Sequence, residues 1–178
     1  IEEARKQAGE LARRHYANDW TAEALLNAAR EARARDNMLG AMKFTGAALT
    51  LTDAADQWTD YADLLLSIPT DSWSERRSWR ARALQAAING YLRAEGGALR
   101  ATALAVMARA LEANDRGRDM IPALRLAQEL SPRDDLAAML DDAIGKYGFR
   151  ITEHEADSDA ASPRICALFN EDLVRAGV

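Results

Sequence analysis

Along the first 148 residues the apolar positions return every three or four residues, the spacing of one face of an α-helix. Ala4, Ala8, Leu11, Ala12 and His15 form the first such run, which stops near Asn18-Asp19. Asp19 is placed to cap a second helix carrying Ala22, Leu25, Leu26 and Ala29. A break at Asp36-Asn37 precedes a third helix, predicted from about Met38 to Leu51. Asp53 is the expected cap of a fourth, which carries Trp58, Tyr61, Ala62 and Leu65 and ends before Pro69. Ser72, with Glu75 three residues on, reads as a capping box opening a long helix through Tyr91 and Leu92, closed by Gly96-Gly97. Helices from about Leu99 to Ala113 and from Met120 to Leu130 follow, the latter with Pro122 in its first turn, where the missing N–H costs nothing. A last helix starts at Asp134 or Asp135 and runs to Tyr147, with Gly148 expected as a left-handed C-cap.

Short turns between helices imply antiparallel neighbours. The window Ala101 to Asp134 has one helix face of Leu104, Met107, Ala108 and Leu111, a second of Met120, Leu124 and Ala127, and Pro132 at its close. This spacing resembles a tetratricopeptide repeat, a helix–turn–helix unit of about 34 residues. Trp58, Tyr61, Ala62 and Leu65 resemble the first helix of another unit. Its second helix would carry Ala83, Ala87 and Gly90, after an insertion around Ile68 to Arg80. Small residues allow helix backbones to approach, and large ones fill the space between layers. An irregular helical bundle would use the same residues as core. After Gly148 the period changes to alternation at Phe149, Ile151 and Glu153, and again from Arg164 to Phe169, as in half-buried strands. The acidic stretch from Glu153 to Asp159 between them is expected to be a loop or linker. The predicted fold is mainly α, with tetratricopeptide-like antiparallel helical repeats over residues 1–148. Residues 149–178 are expected to begin a β domain.

Composition supports the same division. Alanine fills 38 of the 178 positions and leucine 21, while valine and isoleucine together fill ten, four of them in the last thirty residues. Alanine and leucine favour helix and β-branched residues favour strand. A net charge of −5 argues against a general nucleic-acid binder, which needs a basic footprint. No apolar stretch approaches the roughly 20 residues needed to span a bilayer. The sequence starts at Ile1 without a methionine and stops soon after a strand-like segment, so it reads as part of a longer protein.

Tyr147-Gly148-Phe149-Arg150-Ile151, followed by the run from Asp159 through Ser162-Pro163-Arg164-Ile165-Cys166 to Phe169, resembles a junction in bacterial alpha-2-macroglobulin-family proteins. There an N-terminal helical region gives way to the first macroglobulin-like β-sandwich. Trp73-Ser74-Glu75-Arg76, leading into the long alanine-rich helix, is similar to the helical region before that junction; residues 1–52 carry no specific match. Where the family often continues with a Ser-Glu-Pro-Leu-like sequence, this chain has Asn170-Glu171-Asp172-Leu173. The resemblance implies a large secreted or periplasmic protease inhibitor of the cell envelope, often membrane-anchored, with proteases or other proteins as partners. Some members carry a thioester in a Cys-Xaa-Glu-Gln-type motif, but Cys166 is followed by Ala167-Leu168-Phe169. No thioester chemistry is therefore assigned to it.

The remaining chemistry points to binding and not to catalysis. His15 and His154 are far apart in sequence, and each is expected to be capped or solvent-facing and not a metal ligand. Cys166 is expected as a small buried hydrophobe. The acidic run Glu153, Glu155, Asp157 and Asp159 lacks the glycine and terminal glutamate of a loop-type calcium site. Gly96-Gly97 lacks the lysine and hydroxyl of a phosphate loop. No nucleophile, base and orienting acid can be grouped, so neither an enzyme nor a cofactor is expected. Arg76, Arg77, Arg80 and Arg82 cluster with Trp73 and Trp79. Large flat side chains of these types bury area with little entropy lost, which makes Trp73, Arg76, Arg77, Trp79 and Arg80 the candidate partner-binding residues. The rival and commoner arrangement is a charged helix surface with its tryptophans packed beneath. The alternative to an envelope inhibitor fragment is a cytoplasmic adaptor holding a peptide on the concave helical face.

Overall fold

The computed structural model describes residues 1–157 and 164–170. Eight helices are present among them: α1 (Glu2–Arg14), α2 (Ala22–Ala34), α3 (Met38–Thr52), α4 (Ala55–Ser67), α5 (Trp73–Arg93), α6 (Gly97–Ala113), α7 (Met120–Leu130) and α8 (Asp134–Tyr147). A 3-10 turn at Gly117–Asp119 leads into α7. Two strands follow, β1 (Ile151–Asp157) and β2 (Arg164–Phe169), paired antiparallel.

The helices pack as successive hairpins, α2 on α3, α4 on α5 and α6 on α7, with α8 added to α7. Helix α4 also lies beside α6, so the first helices of two consecutive pairs are neighbours, as stacking of repeat units requires. Every apolar residue assigned from sequence to the α4–α5 pair is buried: Trp58, Tyr61, Ala62 and Leu65 on α4, Ala83 and Ala87 on α5. Gly90 completes that set by necessity. A Cβ there would sit 2.5 Å from the Thr59 hydroxyl oxygen and 3.2 Å from the Ala55 carbonyl oxygen, so α4 and α5 could not approach as they do. Helix α6 is buried nearly all round, because Ala101, Ala103, Ala105, Ala108 and Ala110 let α4, α5 and α7 close on it from different sides. The expected insertion at Ile68 to Arg80 is a short loop followed by the first two turns of an unusually long α5.

Helix α1 breaks the nearest-neighbour order. It packs on α5 and α3, and two polar side chains fix it there. Asn89, fully buried, donates to the Ala4 carbonyl at 2.7 Å, and Gln7 donates to the Arg82 carbonyl at 3.0 Å. The Asn89 side-chain oxygen accepts from Arg93 at 2.6 Å, whose Nε donates to Asp53 at 2.7 Å. The same Asp53 oxygen accepts the Trp58 indole N–H at 2.7 Å.

Several helix ends differ from expectation. Thr21 caps α2 in place of Asp19, accepting from the Ala24 amide at 3.2 Å. Asp53 does not cap α4. It ends α3 in the left-handed region at φ 51°, a conformation that Asp and Asn tolerate, and this frees its carboxylate for Trp58 and Arg93. Gly97 opens α6 and does not close α5. Helix α8 begins at Asp134 and reaches Tyr147 as expected, but Gly148 ends it with extended backbone at φ −70° and not as a left-handed cap. Ser72 caps α5 as expected, but Glu75 turns to the Thr70 hydroxyl at 2.9 Å.

The acidic segment expected as a linker is strand: β1 runs through Glu153 and Glu155 to Asp157. Pairing with β2 supplies its backbone partners, which local charge density does not foretell. Asp159, and the Ser162-Pro163 and Glu171-Asp172-Leu173 motifs, lie outside the described residues. Phe149 stacks on Phe169 with centroids 4.8 Å apart at the base of the hairpin. Ile151, Ile165 and Leu168 are exposed.

Candidate functional site

The five residues singled out from the sequence fall in the first two turns of α5, of which the first is exposed. Trp73 is 67% exposed, and the Arg77 guanidinium lies over its ring, 5.3 Å from the centroid. Arg76 donates to the Thr70 carbonyl at 2.6 Å and is thereby held against the loop. Arg80 is half-buried beside the end of α6. A shallow depression there is lined by Trp73, Arg76, Arg77 and Arg80 on one side and Ala113, Asn114 and Asp115 on the other. The C-terminal carbonyls of α6 carry the negative end of its dipole, which these guanidinium groups complement. The Asn114 side-chain amide fixes the junction by donating to the Arg80 carbonyl at 2.8 Å. Trp79 is separate from this group. It is half-buried and packs on the core near Leu65, Leu66 and Ile68. The structure thus brings together Trp73, Arg76, Arg77 and Arg80 and turns Trp79 inward.

A second site was not expected. A cavity of about 740 Å³ opens where the α1–α2 connection meets α3 and α5. His15 borders it and is buried, 7% exposed, in contrast to the expected capped or solvent-facing position. Gly46 makes this burial possible, since a Cβ there would lie 2.6 Å from the His15 ring. His15 Nε2 is 2.8 Å from the Tyr61 hydroxyl, which also accepts from Arg82. Burial, and then the positive charges of Arg82, Arg14 and Lys43, push the His15 pKa down to about 4. The ring is therefore neutral at pH 7, and its Nε2 shares a hydrogen bond with the Tyr61 hydroxyl. Burial raises the Tyr61 pKa despite Arg82, so the phenol keeps its proton. Trp20 and Phe44 stack at the mouth of the cavity, 6.1 Å between centroids. Arg82 belongs to the arginine cluster in the sequence, but its guanidinium turns to Tyr61 on α4. Sequence spacing carries no signal of that.

The face formed by α2, α4 and α6 is a line of alternating charge. Arg33 on α2 pairs with Asp60 at 2.6 Å, and Arg109 on α6 pairs with Asp63. Burial raises the Asp60 pKa against the opposing effect of Arg33, with Asp63 and Asp56 adding to the rise. Beside it Leu99, Thr102 and Val106 line a smaller depression with Ala55 and Thr59.

His154 sits on exposed β1, far from the His15 cavity in chain and in element. Cys166 is exposed on β2, which corrects the expectation of a buried hydrophobe: nothing among the described residues covers that strand. Among the described residues no group of His, Cys, Asp and Glu side chains is arranged to hold a metal ion. No helix among them is long and apolar enough to cross a membrane. No protein-family model matches the sequence, and no curated protein matches it either.

Proposed function

We propose that residues 1–148 are a non-catalytic protein-interaction module, placed ahead of a macroglobulin-like β domain in a bacterial envelope protease inhibitor. One observation carries the docking role. Trp73, a large aromatic 67% exposed, lies under the Arg77 guanidinium in the exposed first turn of α5, outside the packed core. Tryptophan and arginine in this arrangement are the residue types on which interfaces concentrate their binding energy. The exposed Ile151 and Ile165 on one face of the hairpin and Leu168 on the other support the β-domain part, because a two-stranded hairpin gains independent stability only when further strands or a packed layer cover it.

The test has two arms in the source organism. An antibody against the helical region, used on fractionated cells, detects a polypeptide several times larger than 19.5 kDa in the envelope. A photo-cross-linking residue at position 73 of that polypeptide joins it to a second protein. A cytoplasmic band near 19.5 kDa would overturn the inhibitor reading. Absence of any cross-link would overturn docking through Trp73. The second reading, a cytoplasmic peptide-binding adaptor, draws on the charged face of α2, α4 and α6, where Asp60 and Asp63 flank an apolar depression.

A further inference from the structure

The cavity beside His15 is of a size that small-molecule sites commonly have, at about 740 Å³. Its charged lining has a single sign. Arg14, Lys43 and Arg82 border it and no aspartate or glutamate among the described residues does, in a protein whose net charge is −5. The three differ in how far they are neutralised. Arg14 is paired with Glu10 at 3.1 Å. Lys43 has no anionic partner among the described residues. Arg82 donates to Tyr61, but its Nε is buried without an acceptor.

The last two conditions are costly without a ligand. A buried donor lacking an acceptor loses its hydration for nothing in return, and cations gathered at one opening repel one another. His15 offers no relief, since its Nε2 is committed to Tyr61 and it lacks charge at neutral pH. Much of the remaining lining is apolar, with Trp20, Leu25, Met42 and Phe44 among it. Trp20, half exposed, stacks on Phe44 with the rings inclined by 25°, which leaves an aromatic surface facing open space.

We propose that this cavity binds a small organic anion with a flat apolar body. The carboxylate or sulfonate head pairs with Lys43 and Arg82, and the body lies against the Trp20–Phe44 pair. This site is independent of the Trp73 surface, and neither reading depends on the other.

Two dyes that share one ring system separate charge from apolar contact. Anilinonaphthalene sulfonate carries the anion, and N-phenylnaphthylamine is its neutral counterpart. The folded chain is expected to bind the sulfonate one-to-one, and about tenfold more tightly than the neutral dye, as one charge-assisted contact supplies. Lys43→Gln is expected to remove most of that difference, and Trp20→Ala to weaken both dyes alike. Lys43 is exposed on α3, so its substitution leaves the fold intact, as circular dichroism would verify. Equal affinity for both dyes would overturn the proposal. So would sulfonate binding that Lys43→Gln leaves unchanged in a folded protein.

Discussion

His15 is the residue whose charge state the fold dictates. Its pKa is about 4 when folded against an ordinary value of 6.5, so between these two pH values the unfolded chain holds a proton that the folded chain does not. Stability from this group is complete above pH 6.5 and is lost as pH falls towards 4. The full loss is about 3 kcal/mol, from the free energy equivalent of the shift. Urea denaturation at pH 7 and at pH 5 is expected to show this decline in the native protein. His15→Gln, which can still meet the Tyr61 hydroxyl, should flatten it; an equal decline in both proteins would refute the assignment. The two tryptophans at the start of α5 make a second contrast. Trp79→Ala removes a half-buried ring from the core edge and is expected to cost about 2 kcal/mol, below the full core penalty. Trp73→Ala should change stability by no more than about 0.5 kcal/mol, because it removes a side chain that the core does not use. Paired melting curves decide between these, and a Trp73→Ala loss as large as that of Trp79→Ala would make the exposed ring structural.

Between elements, the α1–α5 contact is tied by Asn89, a fully buried polar residue. Its amide donates to Ala4 and Gln85 and accepts from Arg93, so Asn89→Ala removes the side-chain bonds that tie α1 to α5 and hold Arg93. A cost of about 1–3 kcal/mol is expected from losing these bonds. Amide exchange should show α1 losing protection before α4 and α6 do. Uniform loss across all the helices would instead mark Asn89 as a general core residue. The same contact shows where sequence reading stops. Helix existence was legible, because Trp58, Tyr61, Leu104 and Leu124 recur at helical spacing and are all buried. Helix ends were less so: Asp19 and Thr21 are both good caps, and only the path of the backbone chooses between them. The docking of α1 on α5 was not legible, since Asn89 and Ala4 lie 85 residues apart and neither carries a local signal. The Trp73–Arg77 surface was readable because its members are neighbours in sequence. The His15 cavity was not, because α3 and α5 bring Lys43, Phe44 and Arg82 to it from separate parts of the chain.

On the scale of the whole molecule, the hairpin and the helical array are joined lightly. Arg150 donates to the Gly145 carbonyl at 2.8 Å and Asn170 to the Gly148 carbonyl at 3.0 Å, while the strands otherwise pack on each other. Removing residues 149–178 is therefore expected to leave the melting of residues 1–148 within about 0.5 kcal/mol of the full chain. A larger loss, measured by denaturant titration, would show that the strands support the helices. The opposite end behaves differently. A linear array can fold repeat by repeat as it emerges from the ribosome, since each unit needs only its neighbour. Here the first helix finds its anchor at Asn89, and synthesis at 5–20 residues per second puts roughly 4 to 17 seconds between Ala4 and that anchor. For that interval α1 has its apolar face, Ala4 and Leu11 among it, without its docking surface on α5. The nascent chain closes only when α5 arrives, so a slow codon run before residue 89 would prolong the time in which chaperones or other chains can capture α1.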